Sequence, residues 1–111
     1  AGFPLRDAGR SGGAGQGRRR VSRSYVLTKR AQRDLKGIRD YIAGDSPRAA
    51  ARFVASLIEE FERIADFPLM AQAVASHPRF RRLPHGAYVI FYEILGEKVV
   101  IRSVEHSATL K

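Results

Sequence analysis

The stretch from Arg79 to His106, RFRRLPHGAYVIFYEILGEKVVIRSVEH, constrains this chain most, because apolar and β-branched residues fill it and turn signals divide it into runs of strand length. The breaks fall at Pro84-His85-Gly86 and at Leu95-Gly96-Glu97, so the run predicts three consecutive antiparallel strands, a β-meander. Along the middle strand, side chains alternate: Tyr88, Ile90, Tyr92 and Ile94 share one face, while Val89, Phe91, Glu93 and Leu95 share the other. Both faces are largely apolar. One is expected to receive helices, and the other to remain a partly exposed aromatic and apolar face suited to docking. The first strand carries Arg79, Arg81 and Arg82, so a basic surface able to meet polyanions or acidic protein segments lies beside this sheet.

The helices lie upstream. Ser24 to Thr28 is a short strand signal, after which Ala31, Leu35, Ile38 and Ile42 recur at the spacing of an amphipathic helix that Gly44 closes. Ser46 as N-cap and Pro47 at the first helical position then start a second helix. Its apolar stripe is Phe53, Val54, Leu57, Ile58, Phe61, Ile64 and Ala65, and it is expected to stop near Phe67, before Pro68. The segment from Pro68 to Pro78 has prolines at both ends and weak periodicity, which predicts a loop with a turn of helix at most. The resulting order is β-α-α-β-β-β, an α+β fold with a helical hairpin packed on a small antiparallel sheet.

At 111 residues the chain holds one domain with a small core. It has no cysteine, which removes disulfides, thiolate nucleophiles and Cys-type zinc sites; no cofactor or metal is expected. No apolar run reaches spanning length, so the expectation is a soluble, cytoplasmic protein with no membrane contact. The net charge of +9 divides unevenly: residues 1–23 hold six arginines against Asp7, for +5, and the remainder carries +4. The same tail contains six of the ten glycines and no hydrophobic periodicity, so it is expected to be disordered, with the folded domain spanning 24–111. It is either a basic arm for non-specific nucleic-acid contact or a translated upstream segment of no consequence.

Four segments in order carry a family resemblance. YVLTKRAQRDLKGIRDYIA resembles a strand and helix of the pattern A..DL..I..Y, and AARFVASLIEEFERIADFPLMAQ resembles a second helix with its link. RRLPHGAYVIFYEI followed by VVIRSVEH resembles R......Y.IFY.......I..V.H. Together they resemble the RelE/ParE superfamily of bacterial toxin components, most nearly its ParE-like branch. The resemblance implies a type II toxin–antitoxin module: a toxin that inhibits bacterial growth, held inactive in a hetero-oligomer by a cognate antitoxin, ParD-like or other. ParE-like members bind DNA gyrase, whereas RelE-like members act with the ribosome as mRNA endoribonucleases. The helical hairpin is then the expected antitoxin groove, with Arg33, Arg39 and Arg52 on it.

Chemistry separates the branches. Cleavage at a 2′-hydroxyl needs a base, a cation for the phosphorane charge and a proton donor for the leaving oxygen. RelE-like chains typically place an arginine after the strand tyrosine; here Val89 follows Tyr88, and the terminal SATLK has no tyrosine. The expectation is therefore gyrase inhibition and no enzymatic activity. The alternative nuclease set is Arg81, Arg82, His85 and His106, with Glu93 or Glu105 as base; the plainer reading makes His85 a turn residue and His106 a strand end. His77, beside Pro78, is weaker. By elimination, the target-binding surface is assigned to Arg81, Arg82, His106 and Lys111, although a charged edge strand that repels other sheets explains the arginines equally well. Arg79 and Arg81 are expected on one face of their strand, and Arg82 with Phe80 on the other.

Overall fold

The computed structural model describes residues 24–110; the expected tail at 1–23 and Lys111 lie outside the described residues. The elements are β1 (Ser24–Leu27), α1 (Lys29–Ala43), α2 (Pro47–Asp66), a 3-10 turn (Pro68–Met70), β2 (Gln72–Val74), β3 (His77–His85), β4 (Tyr88–Leu95), β5 (Lys98–His106) and a closing 3-10 turn (Ser107–Thr109). Both helices begin on a hydroxyl that satisfies a free backbone amide: Thr28 accepts from the Ala31 N–H, and Ser46 from the Ala49 N–H with Pro47 next in line. Helix α2 ends at Phe67, where Pro68 stops it.

The five strands form one sheet in the order β1-β5-β4-β3-β2. The meander β3-β4-β5 is antiparallel as expected, but β1 pairs parallel to β5, with Val26 opposite Val100. The reason is topological: the hairpin of helices carries the chain back across one face of the sheet, so the strand before it and the last strand run the same way. The expected loop at 68–78 is corrected in part. Its turn of helix is present, but Gln72–Val74 adds a fifth strand beside β3, which itself starts at His77 instead of Arg79. The two tight hairpin turns place Gly86 and Gly96 at positive φ (61° and 57°), where a side chain would be strained.

Two irregularities aim side chains. On β5, Phe91 pairs with Ser103 but Tyr92 with Ile101, leaving Arg102 as an extra residue. The alternation therefore changes phase there, and Val99, Ile101 and Val104 all join the helix-packed core. On β3, Arg81 pairs with Ala73 while His77 pairs with the next residue, Val74, so 78–80 bulge away from β2.

The core lies between the helices and one face of the sheet. Tyr25, Leu35, Leu57, Phe61, Ile64, Ile90, Tyr92 and Ile101 are fully buried in it, with the Tyr25 and Phe61 rings 5.8 Å apart. Burying a side chain such as Phe61 is worth about 1.5–3 kcal/mol. Tyr92 satisfies its hydroxyl by donating to the Pro68 carbonyl (2.6 Å), which ties the end of α2 to the sheet.

Candidate functional site

Opposite the helices, β3, β4 and β5 present a basic and aromatic face centred on Glu93. Glu93 is the one acidic residue of YVIFYEIL, and alternation with the core residues Tyr92 and Ile90 turns it away from the helices. Its side chain is only 7% exposed, yet both oxygens find a cation: Arg79 Nε lies 3.0 Å from Oε2, and Arg102 Nη1 donates to Oε1 at 3.3 Å. The two bulges explain this convergence. The extra residue Arg102 comes to the Glu93 side of β5, and the distorted stretch 78–80 lets Arg79 reach Glu93, which corrects the expectation that Arg79 shares a face with Arg81. Arg79 also lies over Phe80 (5.4 Å) and Arg82 over Phe91 (5.8 Å). One carboxylate thus sits between two guanidinium groups, and Arg79 and Arg82 each lie over an aromatic ring. The trio Arg79, Glu93, Arg102 keeps a surplus positive charge, and the arginines, half or more exposed, retain donors for a carboxylate or phosphate from outside.

Arg81 belongs elsewhere. It is half-buried, its Nη1 donates to the Ala71 carbonyl (3.0 Å), and its Nε is buried without a hydrogen-bond partner. It holds the link after α2 to the sheet, and Arg82, exposed on the other face, is the freer of the two. A small cavity of about 250 Å³ beneath the β3 bulge is lined by Val74, His77, Phe80, Arg81, Phe91 and Tyr92.

His85 and His106 meet at the far end of the sheet, on the helix side. His85 and His106 are the cross-strand neighbours of Tyr88 on either side. The His106 ring meets Tyr88 edge-on at 5.0 Å, while Phe53 from α2 packs on both Tyr88 and His85 at 5.5 Å. His85 Nε2 lies 2.9 Å from Ser56 Oγ, and Nδ1 lies 3.1 Å from Glu60 Oε1. Serine, imidazole and carboxylate in line suggest a nucleophile, but Ser56 is inside α2 and its hydroxyl donates to the Phe53 carbonyl at 2.7 Å. Both ring nitrogens of His85 are occupied, so the group clamps the β3–β4 turn onto α2. His106 Nδ1 accepts from the Ala108 N–H (3.0 Å) and caps the closing turn. His77 is exposed, with Nδ1 3.1 Å from Ser76 Oγ.

The nuclease set is therefore divided. The structure brings His85 and His106 together around Tyr88, places Arg82 on the opposite face, and commits Arg81 to Ala71. Glu105 is engaged by Arg30 (3.1 Å). No cluster of three metal-ligating side chains occurs among the described residues. The basic helix residues are spread out: Arg39 pairs with Asp40 at 3.4 Å, Arg52 is exposed on α2, and Arg33 borders a cleft of about 350 Å³ between α1 and the end of β5. Reasoning from the sequence missed Arg102 and the Ser56–His85–Glu60 clamp. Glu93, a lone carboxylate in an apolar strand, was the available signal that a cation lies nearby.

Residues 25–110 match the family described as the ParE toxin of the type II toxin–antitoxin system parDE. The chain belongs to the ParE toxin family. Two relatives of this ParE-family chain come from Caulobacter vibrioides. Toxin RelE3 is 29% identical over 87 residues, covering 77% of this chain and 95% of its own, and Toxin RelE1 is 30% identical over 85 residues, covering 75% and 91%. The fold matches a chain of the chromosomal ParDE TA system from P. aeruginosa with a TM-score of 0.64 and 20% identity, over 74% of this chain and 92% of that one. The helical hairpin on a five-stranded sheet is thus the fold of a ParE-type toxin.

Proposed function

We propose that this ParE-family chain inhibits growth by binding a protein target, DNA gyrase, and that a cognate antitoxin neutralises it by covering the helical hairpin around Arg33, Arg39 and Arg52. One observation carries the preference for binding over RNA cleavage. The residues that a nuclease would need do not converge: Arg81 is committed to Ala71 and His85 to Ser56 and Glu60, while Arg82 lies on the face opposite His106. Where RelE-like chains carry a phosphate-binding arginine, Val89 is buried and apolar. The names of the two Caulobacter relatives, Toxin RelE3 and Toxin RelE1, favour a second reading, ribosome-dependent mRNA cleavage.

Target contact is assigned to the open face, where Arg82 is an exposed cation with no carboxylate partner among the described residues. The purified chain is expected to inhibit gyrase supercoiling and to leave mRNA intact on translating ribosomes; discrete mRNA cuts without gyrase inhibition would establish the second reading instead. Arg82→Glu reverses charge at an exposed side chain that lies over the Phe91 ring, so the fold survives by circular dichroism while gyrase inhibition falls tenfold or more. A folded variant with full inhibition would remove the open face from the target site.

A further inference from the structure

Gly37 lies in the interior of α1 (Lys29–Ala43), where glycine weakens a helix relative to alanine. Two needs ordinarily justify it, a positive φ or a close approach of other atoms. Neither holds: the positive-φ glycines among the described residues are Gly86 and Gly96, and a Cβ on Gly37 would meet nothing within 4 Å. The space opens into the cleft of about 350 Å³ between α1 and the end of β5, bordered also by Arg33, Tyr41, Tyr88, Glu105 and His106. Room left vacant at the expense of helix stability, and unused by the chain itself, fits an occupant from outside.

The chemistry of the walls says what kind. Arg30 is committed, 3.1 Å from Glu105 Oε2 and 3.6 Å from Asp34 Oδ2, and the Val104 N–H donates to the same Asp34 oxygen at 2.9 Å. Those carboxylates are satisfied, whereas Arg33 has no carboxylate partner among the described residues. Because His106 Nδ1 accepts from Ala108, the neutral ring carries its hydrogen on Nε2, a second donor. Tyr88 is kept in its protonated form, its phenol pushed up by burial first and by the neighbouring Tyr41 second. Tyr41 itself is 80% exposed, a large ring left in water. Against Asp34 and Glu105 a carboxylate brings half the charge of a phosphate dianion, and the Arg33 fork alone matches it, with the tyrosine rings for its apolar surroundings.

We propose that this cleft seats one acidic side chain of the antitoxin, next to an apolar or aromatic residue that occupies the space over Gly37. This rests on the toxin–antitoxin reading above, and it adds the anchoring contact. Substitution at Gly37 separates binding from folding, since a side chain there meets no atom of this chain. The test measures the dissociation constant of the antitoxin co-expressed with this toxin for the unaltered chain, Gly37→Ala, Gly37→Leu and Arg33→Gln, alongside the melting temperature of each free toxin. Gly37→Ala and Gly37→Leu are expected to melt at or above the unaltered chain. Gly37→Leu and Arg33→Gln should each raise the dissociation constant tenfold or more, with Gly37→Ala between them and the unaltered chain. Undiminished affinity in folded Gly37→Leu overturns the cleft as an anchor, and undiminished affinity in Arg33→Gln overturns the carboxylate. If the unaltered chain binds no antitoxin, the toxin–antitoxin reading itself fails.

Discussion

A carboxylate on an apolar strand persists only if its charge is met, and Glu93 is met twice, by Arg79 and Arg102. Removing the charge would leave two guanidinium groups facing each other across a neutral amide. Both arginines are half or more exposed and can turn toward water, so Glu93→Gln is expected to destabilise by only about 1–2 kcal/mol, less than for a fully buried pair. Urea midpoints measure this, and high salt should shrink the difference. An unchanged midpoint would show that the arginines need no carboxylate. Glu93 was visible in the sequence as the odd residue of its strand. Its partners were not, because Arg102 reaches it through a register shift that no alternation rule anticipates.

At the scale of elements, the helices were legible almost residue by residue. The stripe Ala31, Leu35, Ile38 is buried as expected, with Ile42 half-buried at its end, and α2 runs from its Ser46 cap to the residue before Phe67. Phe53 and Ile58 are only partly buried, since they flank the stripe that faces the sheet. Ser46→Ala removes the acceptor for the Ala49 amide and is expected to lower stability by about 1 kcal/mol, seen as a lower melting temperature without a change of fold. No shift would mean that water replaces the serine oxygen at no loss. The Thr28 cap escaped the sequence reading because Thr28 sits at the junction of β1 and α1, where its hydroxyl accepts from Ala31 and donates to the Arg102 carbonyl. Strand β2 escaped it too. Gln72–Val74 is too short to show a period, and only pairing with β3 makes it a strand.

For the molecule as a whole, Tyr92 links the sheet to the end of α2, and its titration is expected to weaken the fold in alkali. Burial is the main cause that raises its phenol pKa in the folded state. The native form therefore keeps a proton that the unfolded chain gives up, so the contribution is fully present below the ordinary phenol value of about 10 and is lost as pH rises through the folded value. Tyr92→Phe is expected to lower stability near neutral pH by about 1 kcal/mol, because the hydrogen bond to Pro68 is lost. Above about pH 10 the gap between variant and parent should narrow. Melting curves across that range test it; parallel curves would mean that another group governs the alkaline limb.

The helix boundaries, the meander and the family pattern followed from the sequence alone, because periodicity, caps and turn glycines act over a few residues and each states its requirement locally. Which charged residues meet depended on the tertiary structure. Arg79, Glu93 and Arg102 come from three strands and converge through two bulges, and His85 finds Ser56 and Glu60 on α2, 29 and 25 residues away. Such meetings are set by register and by the packing of one layer on another, and a single residue of slip changes the face on which a side chain lies.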